Sequence, residues 1–132
     1  MGIRFTETEK WADKLFRKWK PETKLLFLFI VDNCDCAGFW EIDLELAAFH
    51  IGIEVGTLNE SFKELEDRFL SDSKSVWVKS FLKHQKHESL KPQDKAVIGI
   101  LRRIARQKSL RDQVLTELDW KCELPKEIDE YR

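Results

Sequence analysis

Two short clusters in this chain carry side chains able to hold a metal. Cys34-Asp35-Cys36 and His84-Gln85-Lys86-His87 would offer zinc two sulfurs and two imidazole nitrogens. The spacing opposes it, because structural zinc sites separate paired cysteines by two or more residues, and two histidines three apart on a charged helix arise readily by chance. The expectation is therefore no metal and no other cofactor. Cys122 stands apart from any base that would activate it, and His50, among apolar neighbours, reads as a core histidine. Catalytic signatures are absent: there is no phosphate-cradling glycine loop, no HExxH and no GxSxG. The carboxylates fall on faces whose periodicity marks them as solvated, so neither an enzyme nor a small-molecule substrate is expected.

The chemistry left is charge. The net formal charge of −1 conceals four blocks: residues 1–20 sum to +3, 21–78 to −8, 79–111 to +8 and 112–132 to −4. A basic block of that size makes a local anion-binding surface that the near-zero total conceals. The polymer that such a surface suits is nucleic acid, whose phosphates are neutralised by Lys and Arg.

The elements that would position these charges can be read in order. A length of 132 residues suits one core with appendages: an N-terminal helical segment docked on the core (1–20), a central domain (21–87) and a C-terminal helical extension with an acidic tail (88–132). Trp11, Leu15, Phe16 and Trp19 recur at helical spacing, and Trp11 and Trp40 are expected in the core. Pro21 opens the next helix where a missing N–H costs nothing, and LLFLFIV, apolar nearly all round, makes that helix the most buried one. It is far too short to span a membrane. The three cysteines, in a chain with no recognisable export signal, read as reduced thiols in a cytoplasm.

After a turn-rich DNCDCAG comes the short strand FWEI. Asp43 then caps a helix bearing Leu44, Ala47, Ala48 and Ile51 on one face, ended by Gly52. Thr57 to Glu60 has capping-box spacing before a second helix with Leu58, Phe62, Leu65 and Phe69 on one face. A polar turn at Ser71 to Lys74 joins strands around Phe69 to Ser71 and Ser75 to Phe81. Val97, Leu101 and Ile104 mark an amphipathic helix with Lys95, Arg102 and Arg106 opposite, and a last helix runs from about Leu110 to Leu118. This order predicts a mainly α fold: a winged helix-turn-helix with a small antiparallel β-wing and extra C-terminal helices.

PETKLLFLFIVDN, AGFWEI, LAAFHIGI, FKELE and VWVKSFLKHQ, in this order and spacing, resemble the N-terminal winged-helix domain of phage replisome organisers, the DnaD-like replication initiation proteins, over about Trp11 to Gln85. The resemblance implies a non-enzymatic protein that binds DNA at an origin and self-associates, with the replication helicase or its loader as protein partners. One departure stands out. Between Glu54 and Phe69, the segment that should enter the major groove, five carboxylates face two cations. Asn59 and Lys63 are the only contact pair there. DNA affinity is therefore expected mainly from Lys74 and Lys79 of the wing, Lys83 and Lys86 at its exit, and Arg102, Arg103 and Arg106. Trp77 beside Lys79 offers a stacking face, though packing is the commoner use of such a residue. The acidic helix keeps two alternatives open: a winged helix used for protein-protein assembly, and a transcriptional regulator.

Overall fold

Pro21 starts the central helix, α2 (Pro21–Asn33), at its first turn, with Glu22 beside it where the helix dipole favours an anion. The structure is a computed structural model and describes residues 3–6, 8–85 and 95–118. After α2, strand β1 (Phe39–Glu41) leads into α3 (Leu44–Ile51). The carboxylate of Asp43 caps α3 by accepting from the N–H of Leu46 at 3.0 Å. Gly52 ends it at φ 83°, a left-handed turn that glycine adopts without penalty. Then come α4 (Val55–Glu64), strand β2 (Phe69–Ser71), strand β3 (Ser75–Val78) and the single turn α5 (Phe81–His84).

The three strands form one antiparallel sheet in the order β1-β3-β2, with Trp40 opposite Val76 and Phe69 opposite Val78. Three helices with a strand between the first and second, then a hairpin that pairs back beside that strand, make a winged helix-turn-helix. Every residue of β3 is buried, so both faces of the sheet are covered. Beyond the winged helix lie α6 (Lys95–Arg106) and α7 (Arg111–Glu117). Val97, Ile100, Leu101, Ile104, Leu110 and Val114 belong to the same continuous core as Leu26, Ile30, Leu58 and Trp77.

Several local expectations are corrected. The helical spacing of Trp11 to Trp19 is not carried by one helix: a 3-10 turn (Thr8–Ala12) stops at Asp13, whose carboxylate caps the short α1 (Lys14–Lys18) through the N–H groups of Leu15 and Phe16. That break turns Trp11 outward. It is 56% exposed rather than in the core, resting edge-on against Phe16 at 5.0 Å between centroids. His50 is exposed too, its ring lying over Phe29, because α3 turns only Ala47 fully inward. Helix α4 begins two residues before Thr57, so the Thr57 box is inside the first turn, and the N-cap Glu54 makes no side-chain cap. Phe69 starts β2 instead of ending the helix, since a 3-10 turn at Glu66–Arg68 has already redirected the chain. The strand from Ser75 stops at Val78, where Ser80 at φ 64° bends the chain so that Phe81 and Leu82 bury as a helical turn. Finally, α2 buries Leu26 and Ile30 completely, but Leu25 is 48% exposed and Phe27, Leu28 and Val31 are only half-buried. The interrupted stretch at Glu88 to Pro92 and the acidic tail lie outside the described residues.

Candidate nucleic-acid interface

Helix α4 packs on α2 and α3 through Leu58 and Ser61, leaving Val55, Thr57, Asn59, Glu60 and Lys63 outward. Its charge is milder than the sequence count. The carboxylate of Glu64 accepts a hydrogen bond from the hydroxyl of Thr23 at 2.9 Å, which ties it toward α2. Glu60 and Lys63 pair at 3.6 Å, one turn apart and both well exposed, so they balance without adding much stability. Asn59 is exposed, and its side chain makes no hydrogen bond among the described residues. What faces solvent along α4 is therefore weakly acidic and carries one amide suited to a base edge.

The wing turn is built on one carboxylate. Asp72 Oδ1 accepts from the N–H of Lys74 at 2.8 Å and of Ser75 at 2.7 Å, fixing the hairpin as an Asx turn. Asp72 Oδ2 accepts from the hydroxyl of Ser109, in the corner between α6 and α7. The Ser109 hydroxyl and then the Lys74 N–H favour the charged form, so the Asp72 carboxyl sits below its usual value of 3.8. Through this contact the wing tip is held on the C-terminal helices. The contact carries Lys74, two residues from Asp72, and Lys108, next to Ser109, to the same edge, and both are exposed.

Along α6, Lys95, Arg102 and Arg106 occupy the exposed face opposite Val97, Leu101 and Ile104. Arg103 is used differently. Its guanidinium lies 3.7 Å from Asp35 Oδ2, while Oδ1 of Asp35 accepts from the N–H groups of Ala37 and Phe39. Arg103 thus links α6 to the turn that enters β1.

The structure brings Lys74 together with the end of α6 and leaves the other nominated residues elsewhere. Lys79 and Lys83 lie past the opposite end of β3, Lys79 half-buried and Lys83 exposed; Asn59 and Lys63 are on α4; Lys86 lies outside the described residues. Trp77 is a packing residue, 1% exposed, its indole N–H donating to the Ala37 carbonyl at 2.7 Å. Lys108 was missed by sequence reasoning. Its only signal was a position between two helical patterns, and nothing in the chain order pairs Ser109 with Asp72.

No protein-family model, curated protein or solved structure matches this chain. The interface therefore rests on its own geometry.

Among the described residues no three His, Cys, Asp or Glu side chains cluster as a metal site. Cys34 and Cys36 do not point together: Cys34 is buried, its thiol donating to the Val31 carbonyl, and Cys36 is exposed. Burial, partly opposed by Arg4, pushes the Cys34 thiol up to about 12, far from the thiolate a metal would need. His87 and Cys122 lie outside the described residues. No helix among the described residues is long and apolar enough to cross a membrane.

Proposed function

We propose that this chain is a non-enzymatic DNA-binding protein of the replication-initiation kind, using the C-terminal helices and wing edge for phosphate contacts and α4 for a minor share of sequence preference. The observation that supports this most is the Ser109–Asp72 contact, which joins the wing lysine Lys74 to the basic end of α6 in one surface. Arg102 and Arg106, one turn apart on an exposed face, extend that surface along the helix. Contacts of this kind fix position on the backbone and carry little sequence information. Cytoplasmic location, self-association and engagement of a replication helicase or its loader belong to the same reading, carried by the resemblance of residues 11–85.

The test is fluorescence anisotropy with one duplex across several salt concentrations. Reversing Arg102 and Arg106 to Glu together weakens binding and lowers the salt slope by about one unit per lost phosphate contact. Lys63→Ala has a smaller effect, seen mainly as relaxed sequence preference. Unchanged affinity and slope in the arginine pair, with the loss confined to Lys63→Ala, would move the interface to α4.

A second reading has one observation in its favour. Phe49 is 80% exposed on α3, with Leu46 on the same helix and Val55 at the start of α4 also open to solvent. An apolar patch of that kind beside Glu45 and Glu60 suits protein-protein assembly. Sedimentation that shows association lost in Phe49→Ser, with no duplex binding by the wild type at low salt, favours it over the first.

A further inference from the structure

Leu25 to Val31 make α2 apolar on every side, yet the core covers one of those sides only in part. Phe27, Leu28 and Val31 are half-buried because they border a cavity of about 720 Å3, completed by Phe16, Trp19 and Phe81. Its remaining wall is the N-terminal segment, which is clamped at two points. At one end the backbone N–H of Phe5 donates to Gln85 Oε1 at 2.8 Å and the Gln85 amide donates back to the Phe5 carbonyl at 2.7 Å. At the other, Arg68 pairs with Asp13 at 3.4 Å and lies over the Trp19 ring.

The cavity is open to solvent on its polar side, while Phe16, Trp19, Phe27, Leu28 and Val31 give it an apolar wall from which the apolar body of a ligand displaces water. Its volume falls in the range of small-molecule pockets. The charges around it do not all cancel by pairing. Asp13 is balanced by Arg68, and Glu9 and Lys10 contribute one charge of each sign. Lys79 also lines the cavity and forms no ion pair among the described residues.

We infer that this cavity binds an amphipathic carboxylate, its apolar body against Phe27, Leu28 and Val31 and its carboxylate at Lys79. A body of about 10 to 15 non-hydrogen atoms suits the space. Lys79, nominated from the sequence as a phosphate contact, takes this role instead, and the site operates independently of the DNA-binding reading. The ammonium supplies a charge-assisted hydrogen bond that a neutral alcohol of the same length cannot match in strength.

The experiment is calorimetric titration of the full chain with decanoate, 1-decanol and decylamine below their micellar concentrations. Decanoate binds at one saturable site, about tenfold more tightly than decanol, a gap typical of one charge-assisted contact. Lys79→Gln closes that gap and leaves decanol unchanged. Leu28→Trp narrows the apolar wall between Phe27 and Val31 and weakens binding of both. Methyl NMR of the wild type gives a readout that does not depend on any variant folding: decanoate shifts the Leu28, Val31 and Val78 methyls. Absence of saturable binding, equal affinity for decanoate and decanol, stronger binding of decylamine, or shifts centred on Leu46 and Val55 would each overturn the assignment. Loss of DNA binding by the wild type would leave it standing.

Discussion

Asp72 and Asp13 each order a chain reversal with one carboxylate, and both are held below the usual value of 3.8. For Asp13 the causes are the N–H groups of Phe16 and then Leu15, with Arg68 adding to them. A carboxyl whose folded pKa is depressed binds its proton more readily in the unfolded chain, so its contribution is complete above the unfolded value and is lost as pH falls through the folded one. Stability should therefore drop between roughly pH 5 and pH 2, and Asp72→Asn should flatten that drop, as read from urea midpoints at pH 7 and pH 3. The Cys34 thiol has the opposite shift for the opposite reason. Burial disfavours its thiolate, so the unfolded chain loses that proton first, and stability falls as pH rises above the ordinary thiol value of 9.0 toward about 12. The same burial predicts that brief iodoacetamide treatment at pH 8 labels Cys36 and spares Cys34, checked by peptide mapping. Trp77→Phe keeps an aromatic ring but removes part of its bulk and leaves the Ala37 carbonyl without its donor. It should cost about 1–3 kcal/mol, seen as a lower urea midpoint with an unchanged slope.

Two glycines separate the demands of backbone and packing at the level of elements. Gly52 ends α3 at φ 83° with nothing within 4 Å of the place a Cβ would take, so Gly52→Ala meets only the left-handed penalty of about 1 kcal/mol. Gly38, entering β1 at φ 100°, would place a Cβ 3.1 Å from Phe81 and 3.2 Å from the Trp77 indole nitrogen. Both neighbours are buried side chains. Gly38→Ala should therefore cost about 3 kcal/mol, since overpacking adds to the same conformational penalty. Thermal melts of the two variants against wild type test the order: equal shifts would mean that the β1 entrance relaxes freely.

For the whole molecule, the single core that Val97, Leu101, Ile104 and Val114 share with the sheet makes the C-terminal helices part of the winged helix's stability. Leu101 is fully buried in that common core. Leu101→Ala should cost about 2–5 kcal/mol, and far-UV dichroism and tryptophan fluorescence should still report one coincident transition. Two separated transitions would show that α6 and α7 fold as their own unit. The Arg103–Asp35 and Ser109–Asp72 links join the two parts at separate points, which also fixes where the basic face of α6 sits relative to the wing.

The sequence by itself determined the order of elements, because Pro21, Asp43, Gly52 and the polar turn after Ser71 act on the chain within a few residues of themselves. It also identified the inward faces of α3, α4 and α6, since helical periodicity reports burial wherever a helix is amphipathic. It failed where the outcome depends on distant partners. An all-apolar segment such as Leu25 to Val31 carries no record of which side will be covered, and here one side borders a cavity walled in part by Phe5, Thr6 and Asp13. Trp11 and His50 have apolar neighbours in sequence, but a cap at Asp13 and the tilt of α3 put both outside. Counting charges from Glu54 to Phe69 overstated the acidity of α4, because the helix ends at Glu64 and Glu66 and Asp67 belong to the 3-10 turn that follows. Only the tertiary structure placed Asp72 of the wing against Ser109 and Lys79 beside the cavity, since hydrogen bonds and packing between segments far apart in the chain leave no periodic trace in either one.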